Sequence, residues 1–157
     1  MSVTITDSGM DDFMAQVKKL HGRVDIGVFG DEDSEMVIIA GANEFGTDRA
    51  GKNHDITIPK RSFLRSTMDE EKETIGKAVD KAKVDVVTGK LKQKTFLNRI
   101  GLWFVGKVQN KILAGGEPYA ENAEPVKAAK IRRGRSEPKP LNDSGHLRQT
   151  ITHQVKT

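Results

Sequence analysis

The sequence predicts an α+β fold: a small mixed or antiparallel sheet packed with two long helices, plus a long mobile loop. Three observations carry that expectation. Apolar residues recur at helical spacing from Ser62 to about Val87 and again from about Lys92 to Leu113. Short apolar runs suited to strands are scattered along the chain, which excludes a regular βαβ succession. Ala114 to Pro140 holds four of the five prolines and little periodicity, the mark of an extended flexible loop.

The elements follow in order. Val3 and Ile5 alternate with polar residues as a short edge strand, and Ser8 with Asp11 reads as a capping box. Phe13, Met14, Val17 and Leu20 give the helix after it one apolar face, and Gly22 ends it. Arg23 to Phe29 alternates Val24, Ile26 and Val28 inward as a half-buried strand, turned by Gly30-Asp31. Asp33 or Ser34 caps a helix from Glu35 to about Asn43, and Gly46 closes it by taking positive φ without a Cβ penalty. Thr47 to Asp55 is polar and reads as an exposed loop, followed by a short strand, Ile56-Thr57-Ile58.

Pro59 disfavours helix at Ile58, so the next helix starts only after the proline. Residues 42–65 thus form a rigid corner, with Phe45 and Phe63-Leu64 available to anchor both sides. The first long helix buries Leu64, Met68, Ile75, Val79, Ala82 and Val86, and Thr88-Gly89 breaks it. The second presents Phe96, Leu97, Ile100, Trp103, Phe104, Val108 and Ile112, with Gly101 and Gly106 read as points of close backbone approach. Gly115-Gly116 stops it. Asp143 caps a short helical turn through Arg148, and Thr150 to Val155 is a closing strand.

At 157 residues the chain fits one domain, residues 1–157, a size that buries about 68–70% of its unfolded surface. Only 36% of residues are apolar and 31% are charged, a lean core that leans on neighbours. The absence of cysteine excludes disulfides and thiolate metal sites. Met1 to Asp7 carries neither a basic region nor a long apolar stretch, so no signal peptide is expected. The longest apolar run, Met36 to Ala42, falls far short of the roughly 20 residues of a membrane span. The expectation is a soluble protein, made in a cytoplasm, with no membrane partner.

Charge is polarised. Residues 1–60 hold 6 Lys/Arg against 11 Asp/Glu, and residues 61–157 hold 20 against 11. A net −5 half facing a net +9 half suits a nucleic-acid partner or head-to-tail assembly. The basic run of residues 126–139 contains Lys127, Lys130, Arg132, Arg133, Arg135 and Lys139 against Glu137 alone. Two functions stay open for it: neutralising a nucleic-acid backbone, or docking onto an acidic protein surface. Aromatics for base stacking are missing nearby except Tyr119, so sequence-specific recognition is not expected.

Catalytic constellations do not emerge. His21, His54, His146 and His153 lack helix metal spacing, and no HExxH, P-loop or GxGxxG occurs. Ser144 and His146 sit close together without a strand–GxSxG–helix context, so a nucleophile is not expected. No enzyme, metal or cofactor is expected. Glu44 with Arg61 or Arg65 is the more telling pair: an acid closing one helix and arginines opening the next make a bidentate ion pair, within or between subunits.

Two blocks carry a resemblance. Asn43-Glu44-Phe45-Gly46-Thr47 followed by Ile58-Pro59-Lys60-Arg61-Ser62-Phe63-Leu64-Arg65 is similar to the tail-completion (head–tail connector, neck) proteins of tailed bacteriophages. Downstream, Pro140-Leu141-Asn142-Asp143-Ser144-Gly145-His146-Leu147 through Ile151 resembles that family's second signature, Pro-Leu-x-Asp-Thr-Gly-x-Leu-x-x-Ser-Ile. Ser144 stands where threonine is usual and Thr150 where serine is usual. The likeness spans roughly Val24 to Val155.

It implies a ring-forming structural virion subunit at the head-proximal end of a tail, made in the host cytoplasm. Such a ring joins tail to head, with a lumen through which DNA passes without sequence-specific binding. The partners implied are other copies in a ring of six, tail terminator or tail-tube proteins, and head-side connector proteins. The interface candidates are Glu44, Phe45, Arg61, Arg65, Lys127, Lys130, Arg132, Arg133, Arg135 and Asp143. The alternative reading is a small basic, non-specific DNA-binding module.

Overall fold

The computed structural model describes residues 9, 14, 15, 17, 21–31, 33–116 and 119–157. In chain order they form β1 (Arg23–Gly27), α1 (Ser34–Phe45), β2 (Thr47–Ala50), β3 (Ile56–Ile58), α2 (Leu64–Val87), α3 (Gln93–Ala114), α4 (Glu124–Arg132), α5 (His146–Thr150) and β4 (Thr152–Lys156). The architecture is α+β, with two antiparallel two-stranded sheets among the described residues. The expected strand at Val3–Ile5 lies outside the described residues. So does most of the expected Ser8–Leu20 helix, of which Gly9, Met14, Ala15 and Val17 are helical and exposed.

β1 and β4 pair from Arg23↔Lys156 to Gly27↔Thr152, bringing the first described strand against the last. Helix α3 packs across both strands. A side chain at Gly101 would run into the His153 ring and stand 3.0 Å from Val24 Cγ1, so this glycine lets the sheet seat on the helix. The close approach is made by side chains rather than by another backbone. Nothing lies within 4 Å of a Cβ at Gly106, which plays no such part.

The core collects along the same face of α3, towards its C-terminal end. Phe104, Val105, Val108 and Ile112 meet Met36 and Ala40 of α1, Leu147, Ile151 and the fully buried Phe63. Burying side chains of this size stabilises by about 1.5–3 kcal/mol each.

Two expectations need correcting. Thr47–Ala50 is a strand, not loop: it pairs with β3 at Thr47↔Ile58 and Ala50↔Ile56. Gly51 turns the hairpin at φ 81, and the Ile56 side chain packs on the space a Cβ would fill. A polar hairpin with one wet face carries no apolar alternation to reveal it. The segment Ala114–Pro140, expected to be a long loop, contains α4. Pro125 sits in the first turn of α4, where its missing N–H costs nothing.

Candidate functional site

The corner between α1 and α2 is built on Glu44. Asp33 caps α1 by accepting from Met36 N at 2.9 Å, and Gly46 ends it at φ 76, donating to the Ala42 carbonyl at 3.0 Å. This leaves Glu44 in the last turn, only 3% exposed. Its carboxylate accepts from Ser62 Oγ at 2.6 Å, Leu64 N at 2.9 Å and Arg65 N at 3.1 Å. The acid closing one helix therefore caps the next, satisfying otherwise orphaned N–H groups at the positive end of the α2 dipole.

The expected arginine pairing takes a different form. Arg65 approaches Glu44 only at 3.9 Å, with its guanidinium stacked 4.5 Å over the Phe45 ring. Phe45 is 61% exposed and anchors nothing inside; Phe63 does that. Arg61 turns away from Glu44 altogether. It donates from Nε to the Ala120 carbonyl at 2.9 Å, and from Nη2 to the Glu121 carbonyl at 3.0 Å and Asn122 Oδ1 at 3.3 Å. Glu44 is occupied by the α2 amides, and Arg61 is the clamp for a segment some sixty residues downstream.

Asn122 extends the clamp, donating to the Pro138 carbonyl at 2.7 Å. Lys130 completes it from α4, donating to the carbonyls of Lys139 and Asn142 at 2.7 Å each. Lys130 is buried, contrary to its expected place in an exposed basic run. Burial pushes its ammonium pKa down, nearby Arg61, Arg133 and Arg135 push the same way, and Asp143 opposes them. Burial also lowers Arg61. Neither cation ion-pairs with a carboxylate among the described residues; carbonyl dipoles hold both.

Asp143 does not cap the turn that follows it. It ion-pairs with Arg133 Nη1 at 2.8 Å and stands 3.9 Å from Arg135 Nε. Ser144 Oγ accepts from His146 N at 3.2 Å instead, beside Gly145 at φ 83. His146 Nε2 then lies 2.8 Å from Asp33 Oδ2, tying the second block to the cap of α1. That contact, followed by the Met36 N–H, holds the Asp33 carboxyl below its ordinary range.

The remaining charges of the basic run are largely spoken for. Lys127 bridges Glu121 at 2.6 Å and Glu124 at 3.0 Å, and Lys139 meets Glu137 at 2.7 Å. Among the described residues Arg132, like the carbonyl-held Lys130, lacks an acidic partner.

These parts enclose an open groove of about 620 Å³. Met36, Ile39 and Asn43 of α1 form one wall, residues 56–59 a second, Val126 of α4 a third, and Leu141 with residues 143–147 the last. Arg61, Lys130 and residues 121–123, with the acid Glu121 among them, complete the lining. Both blocks singled out in the sequence thus border the same groove. Asn122 was not foreseen, and no spacing or composition around it marks it. No family model, curated protein or solved structure matches the chain.

Proposed function

We propose that the chain is a structural virion protein of a tailed phage: a tail-completion or neck ring subunit that joins tail to head around a DNA channel. The observation that carries this reading is the meeting of the two blocks. Residues 43–65 and 140–151 lie far apart in sequence, yet both border one groove, and each is locked locally by a buried or paired acid, Glu44 and Asp143. Such a construction supports a rigid docking surface.

Its action is adhesive rather than catalytic. Ile38, Phe45, Ile56 and Ile131 are each more than half exposed, apolar surface that a partner subunit would cover. The reading as a basic DNA-binding module draws less support, because most cations of the 126–139 run already have acidic or carbonyl partners.

The test is genetic. A phage deprived of this protein should accumulate filled heads and separate tails, and the protein supplied in trans should restore joined, infectious particles. Joined particles in its absence would overturn the reading.

A further inference from the structure

Consecutive residues of β3, Ile56, Thr57 and Ile58, line the groove together with Pro59. Alternate side chains of a strand point to opposite faces, so a wall of consecutive residues is the edge of the strand rather than either face. Another wall is one stripe of α1, with Met36, Ile39 and Asn43 at i, i+3 and i+7. The groove thus lies between a strand edge and a helix.

That edge is unpaired. Opposed residues of an antiparallel ladder either exchange both backbone bonds or are flanked by residues that do. Pro59 has no N–H for a flanking bond, so Ile58 exchanges both of its own with Thr47. Strand alternation then turns the N–H and C=O of Thr57 away from β2, and neither finds a partner among the described residues. The edge is also undefended: β2 carries Asp48 and Arg49, whereas no charge stands between Ile56 and Pro59. A two-stranded hairpin is weak in water without further cover, and Ile56 is left 53% exposed.

Charge sorts the occupants. The ionisable side chains lining the groove are all committed: Arg61 and Lys130 to carbonyls, Glu121 to Lys127, Asp143 to Arg133 and His146 to Asp33. None is free to select an anion or a cation. What remains is aliphatic, Ile39, Ile56, Val126 and Leu141 among it, beside the main-chain donor and acceptor of Thr57.

We propose that the groove takes an added β-strand from a partner protein: an extended, uncharged segment whose main chain pairs with Thr57 and whose alternate aliphatic side chains pack between α1 and α4. Pairing at a sheet edge supplies affinity, and the spaces for alternate side chains supply selectivity. A groove of about 620 Å³ is of the size that encloses a drug-sized ligand, here a few residues of extended chain. A separate partner is favoured over a second copy. Among the described residues, β1 and β4 lie against α3 and hold Arg23, Asp25 and Lys156, and β3 would bring charged β2 with it. The groove would hold its strand whether or not the chain builds a neck ring.

Selection of a library of short, end-blocked random peptides on the full chain tests this. Enriched sequences should carry aliphatic residues at alternate positions with no charge between them. Thr57→Pro removes the outward N–H at a position where an edge strand tolerates proline. It should melt like wild type yet bind the enriched peptide at least about tenfold more weakly, whereas Thr57→Val, which keeps the N–H, should bind within about twofold of wild type. No enrichment, a charged consensus, or equal binding by Thr57→Pro and wild type would overturn the added strand. So would loss in both variants, which would assign the contact to the hydroxyl. If Thr57→Pro melts early, hydrogen exchange on the wild type decides: the peptide should slow the Thr57 amide, and an unchanged rate overturns the pairing. Sedimentation of the wild type alone tests the other occupant. Self-association that Thr57→Pro abolishes would give the edge to a second copy and overturn the partner strand.

Discussion

At the scale of single residues, Glu44 matters most. Its carboxylate holds two backbone amides and a serine hydroxyl in a buried setting, so deleting it strands three donors at once. Hydrogen bonds to a charged group are worth about 1.5–3 kcal/mol, and unsatisfied buried donors add to the loss. Glu44→Ala should therefore lower unfolding free energy by about 2–4 kcal/mol in urea titration, and a change under about 0.5 kcal/mol would contradict the capping role. Asp33 offers a second check. Its folded carboxyl titrates below 3.8, so whatever it contributes is complete above that pH and fades as pH falls through the folded midpoint. Nuclear magnetic resonance should place the Asp33 midpoint below 3.8, and His146→Ala should move it up. An unmoved midpoint would mean the histidine contact does not form. The role of Glu44 at this corner was half legible in sequence: an acid before a Pro-x-Arg-Ser-Phe start pointed to a fixed corner. That the acid would spend itself on amides, and free Arg61 to reach residues 120–122, depends on a segment no local pattern connects to it.

At the scale of elements, sequence periodicity located α1, α2 and α3 to within about two residues, although of the stripe expected on α2 only Ala82 is buried, Leu64, Ile75, Val79 and Val86 are half-buried, and Met68 is exposed. The same method misses α4 for a physical reason. Its only fully buried residue is Lys130, so its orientation is set by hydrogen bonds to carbonyls rather than by an apolar face. Lys130→Ser should then unfold the 119–142 segment locally, exposing its amides to hydrogen exchange, whereas Arg132→Ser should leave them protected. Equal protection in both would contradict the clamp. The two glycines of α3 make an opposed pair. Gly101→Ala forces His153 and Val24 off the helix and should cost about 1–3 kcal/mol through overpacking. Gly106→Ala meets open space and should gain about 0.5–1 kcal/mol from helix propensity. Thermal melts of the two variants should move in opposite directions; a shared sign would mean the β1–β4 ladder does not seat on Gly101.

At the scale of the whole molecule, three features bear on the assembly proposed above: a charge-polarised chain, a groove bordered by both motif blocks, and exposed large aliphatics on α1 and α4. None of the described helices is long and apolar enough to cross a membrane. The polarity and the two blocks are visible in the sequence; the groove is not, because it arises only when residues 43–65, 120–130 and 140–147 are brought together by Arg61, Asn122 and Lys130. The central claim is that these surfaces serve a neck ring. Gold-labelled antibody against the chain, imaged on intact particles of the phage that encodes it, tests this most directly. Label confined to the junction of head and tail is the predicted result; label spread over the capsid or along the tail, or none on intact or disrupted particles, would contradict it.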